Sequence, residues 1–252
     1  GSKGGDPCKT GEYGVGFNAV YHLTDAPSFI SKGGDVGDVL LVFDPDCRYA
    51  PGASSEKPGR MFKVSEKLQK DFPDVFRCYL GELERFSGDN ATIFRFPLRS
   101  EEMAIESKIS SRAVTLEKLD RMMEELKREL FEVLLFVDNV KKITLCEVEK
   151  TSGKLVDYYT VEVTLTEEDE KKRKYFAAVI KKVGNLIKQG KILPTESPVV
   201  KVSYILKITD NRGNEEKWLI VQQIGFQGDV KSTIVDAFMK QKLGMLPRGG
   251  VA

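Results

Sequence analysis

The chain has 252 residues, 41% apolar and 31% charged, and 39 Lys and Arg against 38 Asp and Glu leave a net charge of +1. A chain of this length buries roughly 70–75% of the surface its unfolded form exposes, enough for one large or two small cores. The balanced charge gives no reason to expect nucleic acid or an anionic membrane as partner, and no apolar run approaches the ~20 residues of a bilayer span.

The opening residues lack the apolar core of a secretory signal. Cys8, Cys47, Cys78 and Cys146 are scattered without a C-x-x-C pair, and His22 is the only histidine. A clustered metal site is therefore not expected, while reduced thiols in a cytoplasmic protein are. His22 itself reads as a satisfied structural histidine.

The first pattern in the chain is the run Lys9-Thr10-Gly11-Glu12-Tyr13-Gly14-Val15-Gly16-Phe17, which feeds an apolar-periodic stretch with Phe17, Val20, Tyr21 and Leu23 on one side. Glycine admits positive φ and lets the backbone approach another group closely. A loop of this kind running into a helix leaves amide N–H groups pointing outward, where a phosphate can sit. Two common phosphate loops are excluded by context. No strand precedes the glycines, as the dinucleotide motif requires, and Gly16 is followed by Phe17-Asn18 where the Walker loop needs Gly-Lys-Ser/Thr.

Asp25-Ala26-Pro27-Ser28 ends the opening helix, because proline disfavours helical geometry in the residue before it. Residues 31–38 read as a turn, and Val39–Phe43 as a short buried strand. Residues 44–60, with three prolines and little periodicity, read as a long loop. A short helix is predicted within 64–72 and an apolar segment over 75–80. A strand follows with Thr92, Phe94, Phe96 and Leu98 on one face and Ile93, Arg95 and Pro97 on the other. Arg95 is read as a part-buried structural residue in need of a carboxylate or carbonyl partner.

Thr115 is a predicted N-cap for a helix through Phe131, and Val133–Phe136 and Ile143–Val148 read as strand-like. A turn at 151–154 is taken as a boundary. Beyond it come a strand over 158–165 and a helix capped by Thr166, with Glu167, Glu168 and Asp169 at its positive end and Gly190 as its stop. The cationic run 171–174 reads as a solvated face. Strands over 199–208 and 218–224 flank the reversal Asp210-Asn211-Arg212-Gly213-Asn214, with Trp218 as the anchor of the hairpin. A closing helix near 230–243 and a fraying tail over 246–250 complete the expectation.

Three groups of residues carry a family resemblance. They are Gly11…Gly14-Val15-Gly16-Phe17-Asn18 with Tyr21-His22-Leu23-Thr24-Asp25; Phe43-Asp44-Pro45…Arg48-Tyr49-Ala50-Pro51-Gly52-Ala53 with Pro58-Gly59-Arg60-Met61-Phe62; and Thr92-Ile93-Phe94-Arg95-Phe96-Pro97-Leu98-Arg99. The glycine segment resembles that of Bergerat-type ATPases, which include the ninety-kilodalton heat-shock chaperones, and the longer strings are similar to the repeats of the sacsin family, a later repeat rather than the first. The resemblance covers roughly residues 3 to 150. It implies an α+β fold: residues 1–150 as the C-terminal portion of a Bergerat-type α/β sandwich, and residues 151–252 as a smaller α+β extension with a β-hairpin.

The resemblance also implies a nucleotide site. Gly11, Gly14, Val15, Gly16 and Phe17 would lay their amides along the phosphates, with Lys9 as a nearby cation. Thr92, after Ala91, matches the threonine that helps hold adenine, and reads equally well as a strand residue that merely packs. ATP and magnesium are implied for the complete domain, but the magnesium-binding asparagine and adenine-binding aspartate of the family precede the glycine loop and are not matched in this chain. The fragment alone is expected to hold no cofactor and to be no enzyme. The implied setting is cytoplasmic protein quality control, with the rest of the parent protein, the seventy-kilodalton heat-shock chaperone system and client proteins as partners. The alternative is a structural or interaction module with a vestigial nucleotide site.

Overall fold

Strands and helices alternate irregularly along the chain and every strand pairing among the described residues is antiparallel, giving an α+β fold. The computed structural model describes residues 16–32, 38–76, 79, 91–137, 139–149, 151, 154–192, 198–225 and 249–251. Two compact units divide between Arg121 and Met122.

In the first unit a 3-10 turn, Phe17–His22, leads into β1 (Ser28–Ser31), β2 (Val39–Phe43), β3 (Gly59–Lys63) and β4 (Thr92–Arg95), ordered β3-β2-β1-β4. The sequence predicts only β2 and β4. β1, which the sequence presents as part of a break and a turn, is an inner strand: Ile30 lies opposite both Leu40 and Ile93. Strand alternation therefore puts Ile30, Leu40, Phe62 and Ile93 on one face, where they pack with Phe76, Tyr79 and Leu68. Leu68 comes from α1 (Glu66–Asp71), whose N-terminus is closed by Ser65 Oγ accepting from Leu68 N–H. The Tyr79 hydroxyl is paired inside the core with Ser28 Oγ at 2.6 Å. A short α2 (Glu101–Glu106), capped by Ser100, precedes α3 (Leu116–Phe136).

Thr115 Oγ1 accepts the Lys118 amide and starts α3 as its sequence predicts. The helix then runs through Val133–Phe136, whose apolar run reads as strand-like from sequence. Leu130 and Leu134, one helical repeat apart, are what the second unit buries: they pack on Leu145, Val161, Val163, Tyr204, Leu206 and Ile208.

That second unit is a sheet ordered β5-β6-β7-β8-β9, comprising β5 (Lys142–Val148), β6 (Leu155–Thr164), β7 (Val200–Asp210), β8 (Glu215–Ile224) and β9 (Gly249–Val251). The turn around Thr151 connects β5 to β6, which are paired from Val148↔Leu155 onward. Gly249 and Gly250, expected in a fraying tail, pair with Gln223 and Gln222. α4 (Glu167–Lys188) begins where Thr166 Oγ1 accepts the Asp169 amide and ends before Gly190, which holds φ +66°. Its Phe176 and Val183 pack with Ile224, Val200 and Val202. The helix predicted near 230–243 lies outside the described residues.

Candidate functional site

The face of the first sheet opposite Ile30 and Leu40 is aromatic. Phe29 on β1, Phe43 on β2 and Phe94 on β4 share it by register, with ring centroids 5.3 Å apart for Phe29 and Phe94 and 5.9 Å for Phe29 and Phe43. Phe17 lies across them, 5.1 Å from Phe43 and 6.1 Å from Phe94. Tilted rings at these separations are the favourable arrangement of aromatic quadrupoles. The cluster stays partly open, with Phe94 48% exposed.

Thr92 stands on the same face, two residues from Phe94 along β4, and its hydroxyl is 3.3 Å from Ser31 Oγ across the strand pair. The fold thus brings Phe17 and Thr92, more than seventy residues apart in sequence, onto one surface. Gly16 starts the turn that carries Phe17, with φ −59° and ψ −41°. A Cβ there would meet nothing within 4 Å among the described residues, and the backbone angles are ones any residue adopts. The first bond inside the turn runs from Ala19 N–H to Gly16 O, leaving the Phe17 and Asn18 amides without an acceptor within the turn. Lys9, Gly11, Gly14 and Val15 lie outside the described residues.

The same unit holds a buried polar network. Arg99 donates from Nε to Asp25 Oδ1 at 2.5 Å, from Nη2 to the Tyr21 carbonyl at 2.7 Å and from Nη1 to the Arg112 carbonyl at 3.2 Å. Its side chain is 1% exposed and that of Asp25 is 0%. The Arg99 amide also donates to Leu23 O, so one residue ties the end of the Phe17 turn to the segment after β4. Asp44 is equally buried. Its carboxylate accepts the Arg48, Tyr49 and Ala50 amides, folding the chain after β2 back on itself.

Asp25 Oδ2 and the Tyr49 hydroxyl are buried with no hydrogen-bond partner among the described residues. Burial pushes the Tyr49 hydroxyl above its ordinary pKa, and the Asp25 carboxylate adds to that rise. Arg95, the arginine that the sequence marks as needing a partner, is half-buried, and its side chain has no ion pair or hydrogen bond among the described residues. The arginine of this segment with a buried carboxylate partner is Arg99, which alternation along the strand does not single out. His22, read from sequence as a structural histidine, is exposed in the last position of the 3-10 turn. Trp218 faces Leu206 across β7 and β8, rests part-buried against the second unit's core and donates Nε1–H to Glu216 at 2.8 Å.

The Sacsin domain family matches residues 1–160. Human sacsin is 40% identical over 255 aligned residues, covering all of this chain and 5% of that protein. The chain thus spans a small part of the length of the relative it matches.

Proposed function

The chain belongs to the Sacsin domain family, and from that premise we propose that it supplies one wall of a chaperone-type, Bergerat-like nucleotide site in a larger sacsin-like protein. The observation that carries this reading is the shared sheet face of Phe17 and Thr92. The residue that ends the glycine loop and the threonine matched to adenine binding stand on one partly open aromatic surface. The open space at Gly16 is where a phosphate would come close to the backbone. When bound, ATP would bring the polyphosphate charge that amides at the start of the turn offset.

Among the described residues no group of three or more His, Cys, Asp or Glu side chains is placed to hold a metal ion, and no phosphoryl-transfer step is assigned to this chain. By this reading the chain alone neither binds nor hydrolyses ATP, and its site is completed by other parts of the parent protein. The resemblance extends the proposal to cytoplasmic quality control, with the seventy-kilodalton heat-shock chaperone system and client proteins as partners.

A second reading, an interaction module with a vestigial site, is favoured by one feature. Thr92 Oγ1 is already engaged by Ser31, and the aromatic face can hold a partner without any nucleotide. The two readings separate by titrating ATP into the chain joined to the residues that precede it in its parent. Gly16→Val keeps an allowed backbone and fills only open space, so the fold persists while phosphate approach is blocked. Binding that is lost in the variant at unchanged melting temperature supports the nucleotide wall. Binding that survives overturns it, and no binding in the longer wild type favours the interaction module.

A further inference from the structure

The outer faces of α3 and α4 are opposite in chemistry. On α4, Lys171, Tyr175, Ala178 and Lys182 recur at helical spacing on the exposed side, with Lys181 beside them. The acids of this helix are confined to its first turn, where Glu168 and Asp169 engage Lys172 and Glu170 engages Lys174. Lys171, Lys181 and Lys182 have no ion pair among the described residues. Tyr175 is 56% exposed between them.

On α3 the side used for packing carries Met123, Leu130 and Leu134. A separate flank carries Met122, Glu125, Leu126, Glu129, Glu132 and Phe136, all exposed, with Phe136 81% so. Glu125, Glu129 and Glu132 are likewise without ion pairs among the described residues. Met122 to Phe136 spans about 21 Å and Lys171 to Lys182 about 17 Å at the α-helical rise, so the two stripes are of comparable length.

We propose that α3 of one copy of this chain docks on α4 of a second copy, with Glu125, Glu129 and Glu132 facing Lys171, Lys181 and Lys182, and Met122, Leu126 and Phe136 closing over Tyr175. A second copy is the favoured occupant because the complementary charge and the apolar cover both exist on this chain. The basic face alone offers one aromatic ring and no apolar wedge for a bilayer, and the apolar side of α4 is spent on Phe176 and Val183. The docking is heterologous, so each bound copy still presents a free α3 or α4 and association continues past the dimer unless it closes into a ring.

The test is the mass of the 252-residue chain in solution, measured by analytical ultracentrifugation across a concentration series. The expected result is a mass that rises with concentration at roughly 0.1 M salt and falls to the monomer near 1 M, as the screening length shrinks from about 10 Å to about 3 Å. Lys181→Glu/Lys182→Glu and Glu129→Lys/Glu132→Lys are each expected to be monomeric, their folding checked by circular dichroism. Mixed together they are expected to associate again in equal proportion, since the acidic α3 and reversed α4 of one variant complement the basic α4 and reversed α3 of the other. A monomeric wild type, a charge-reversed variant that still associates, or a mixture that stays monomeric overturns the proposal. So does a monomer whose lysines instead capture an acidic peptide, an anionic vesicle or RNA, since α4 would then belong to another partner.

Discussion

Arg99 donates Nε–H to Asp25 Oδ1 at 2.5 Å across 74 residues of sequence, with both side chains buried. Removing one member of such a pair leaves the other as an uncompensated charge out of water, which costs more than the pair gains by forming. Arg99→Met is therefore expected to lower stability by about 3–5 kcal/mol, measured by urea denaturation. Adding Asp25→Asn to it is expected to recover part of the loss. Tyr49→Phe removes a buried hydroxyl that has no partner among the described residues and is expected to cost less than about 1 kcal/mol.

Asp44 holds three successive amides, those of Arg48, Tyr49 and Ala50. Asp44→Ala strands them, with an expected loss of about 2–3 kcal/mol. Hydrogen exchange is the sharper measurement. Those three amides are expected to lose protection well before the amides of β2, and uniform loss across the sheet would show that Asp44 acts globally.

Much of the second unit is legible in the sequence because its signals are local. Thr166 as a cap, Gly190 as a stop and Asp210–Asn214 as a reversal each depend on residues within one turn. β1 is not legible, being four residues beside Pro27 whose place is decided by partners at Leu40 and Ile93. Val133–Phe136 resembles a strand because a short apolar run does not reveal its period, and the helix already begun at Thr115 continues through it. Within the candidate site, Phe17 and Thr92 can each be named from sequence. Their shared face, and the choice of Arg99 over Arg95, depend on pairings between distant segments that no local pattern encodes.

Two glycines are expected to respond oppositely to alanine. A Cβ at Gly59 would lie 2.6 Å from the Val42 carbonyl oxygen, at the point where β3 pairs with Phe43. Gly59→Ala must push the edge strand aside, at an expected cost of about 1–3 kcal/mol. A Cβ at Gly184, within α4, meets nothing within 4 Å. Gly184→Ala is expected to stabilise by about 0.5–1 kcal/mol, since glycine loses more backbone freedom in a helix. Thermal melts of the two variants check both signs.

Burial opposes ionisation of Asp210, yet the bonds it accepts from the Asn214 side chain and amide, the Arg212 amide and the Tyr159 hydroxyl outweigh it and hold the carboxyl below its ordinary range. The folded state then binds this proton less readily than the unfolded chain. The stabilisation is full above the unfolded value of about 3.9 and drains as pH falls through the folded one. Melting temperature is expected to lose part of its acid dependence in Asp210→Asn, and an unchanged acid limb would show that Asp210 plays no part in it.

Calorimetric titration of ATP with magnesium tests the nucleotide wall most directly, run on the 252-residue chain alone and on the chain joined to its preceding segment. No binding heat is expected from the chain alone. In the longer chain, binding is expected, and it should weaken by about tenfold or more in Thr92→Val, the size of effect that follows from removing one neutral hydrogen bond to a buried adenine. Micromolar affinity in the chain alone, or affinity in the longer chain indifferent to Thr92→Val and Gly16→Val, would contradict the assignment.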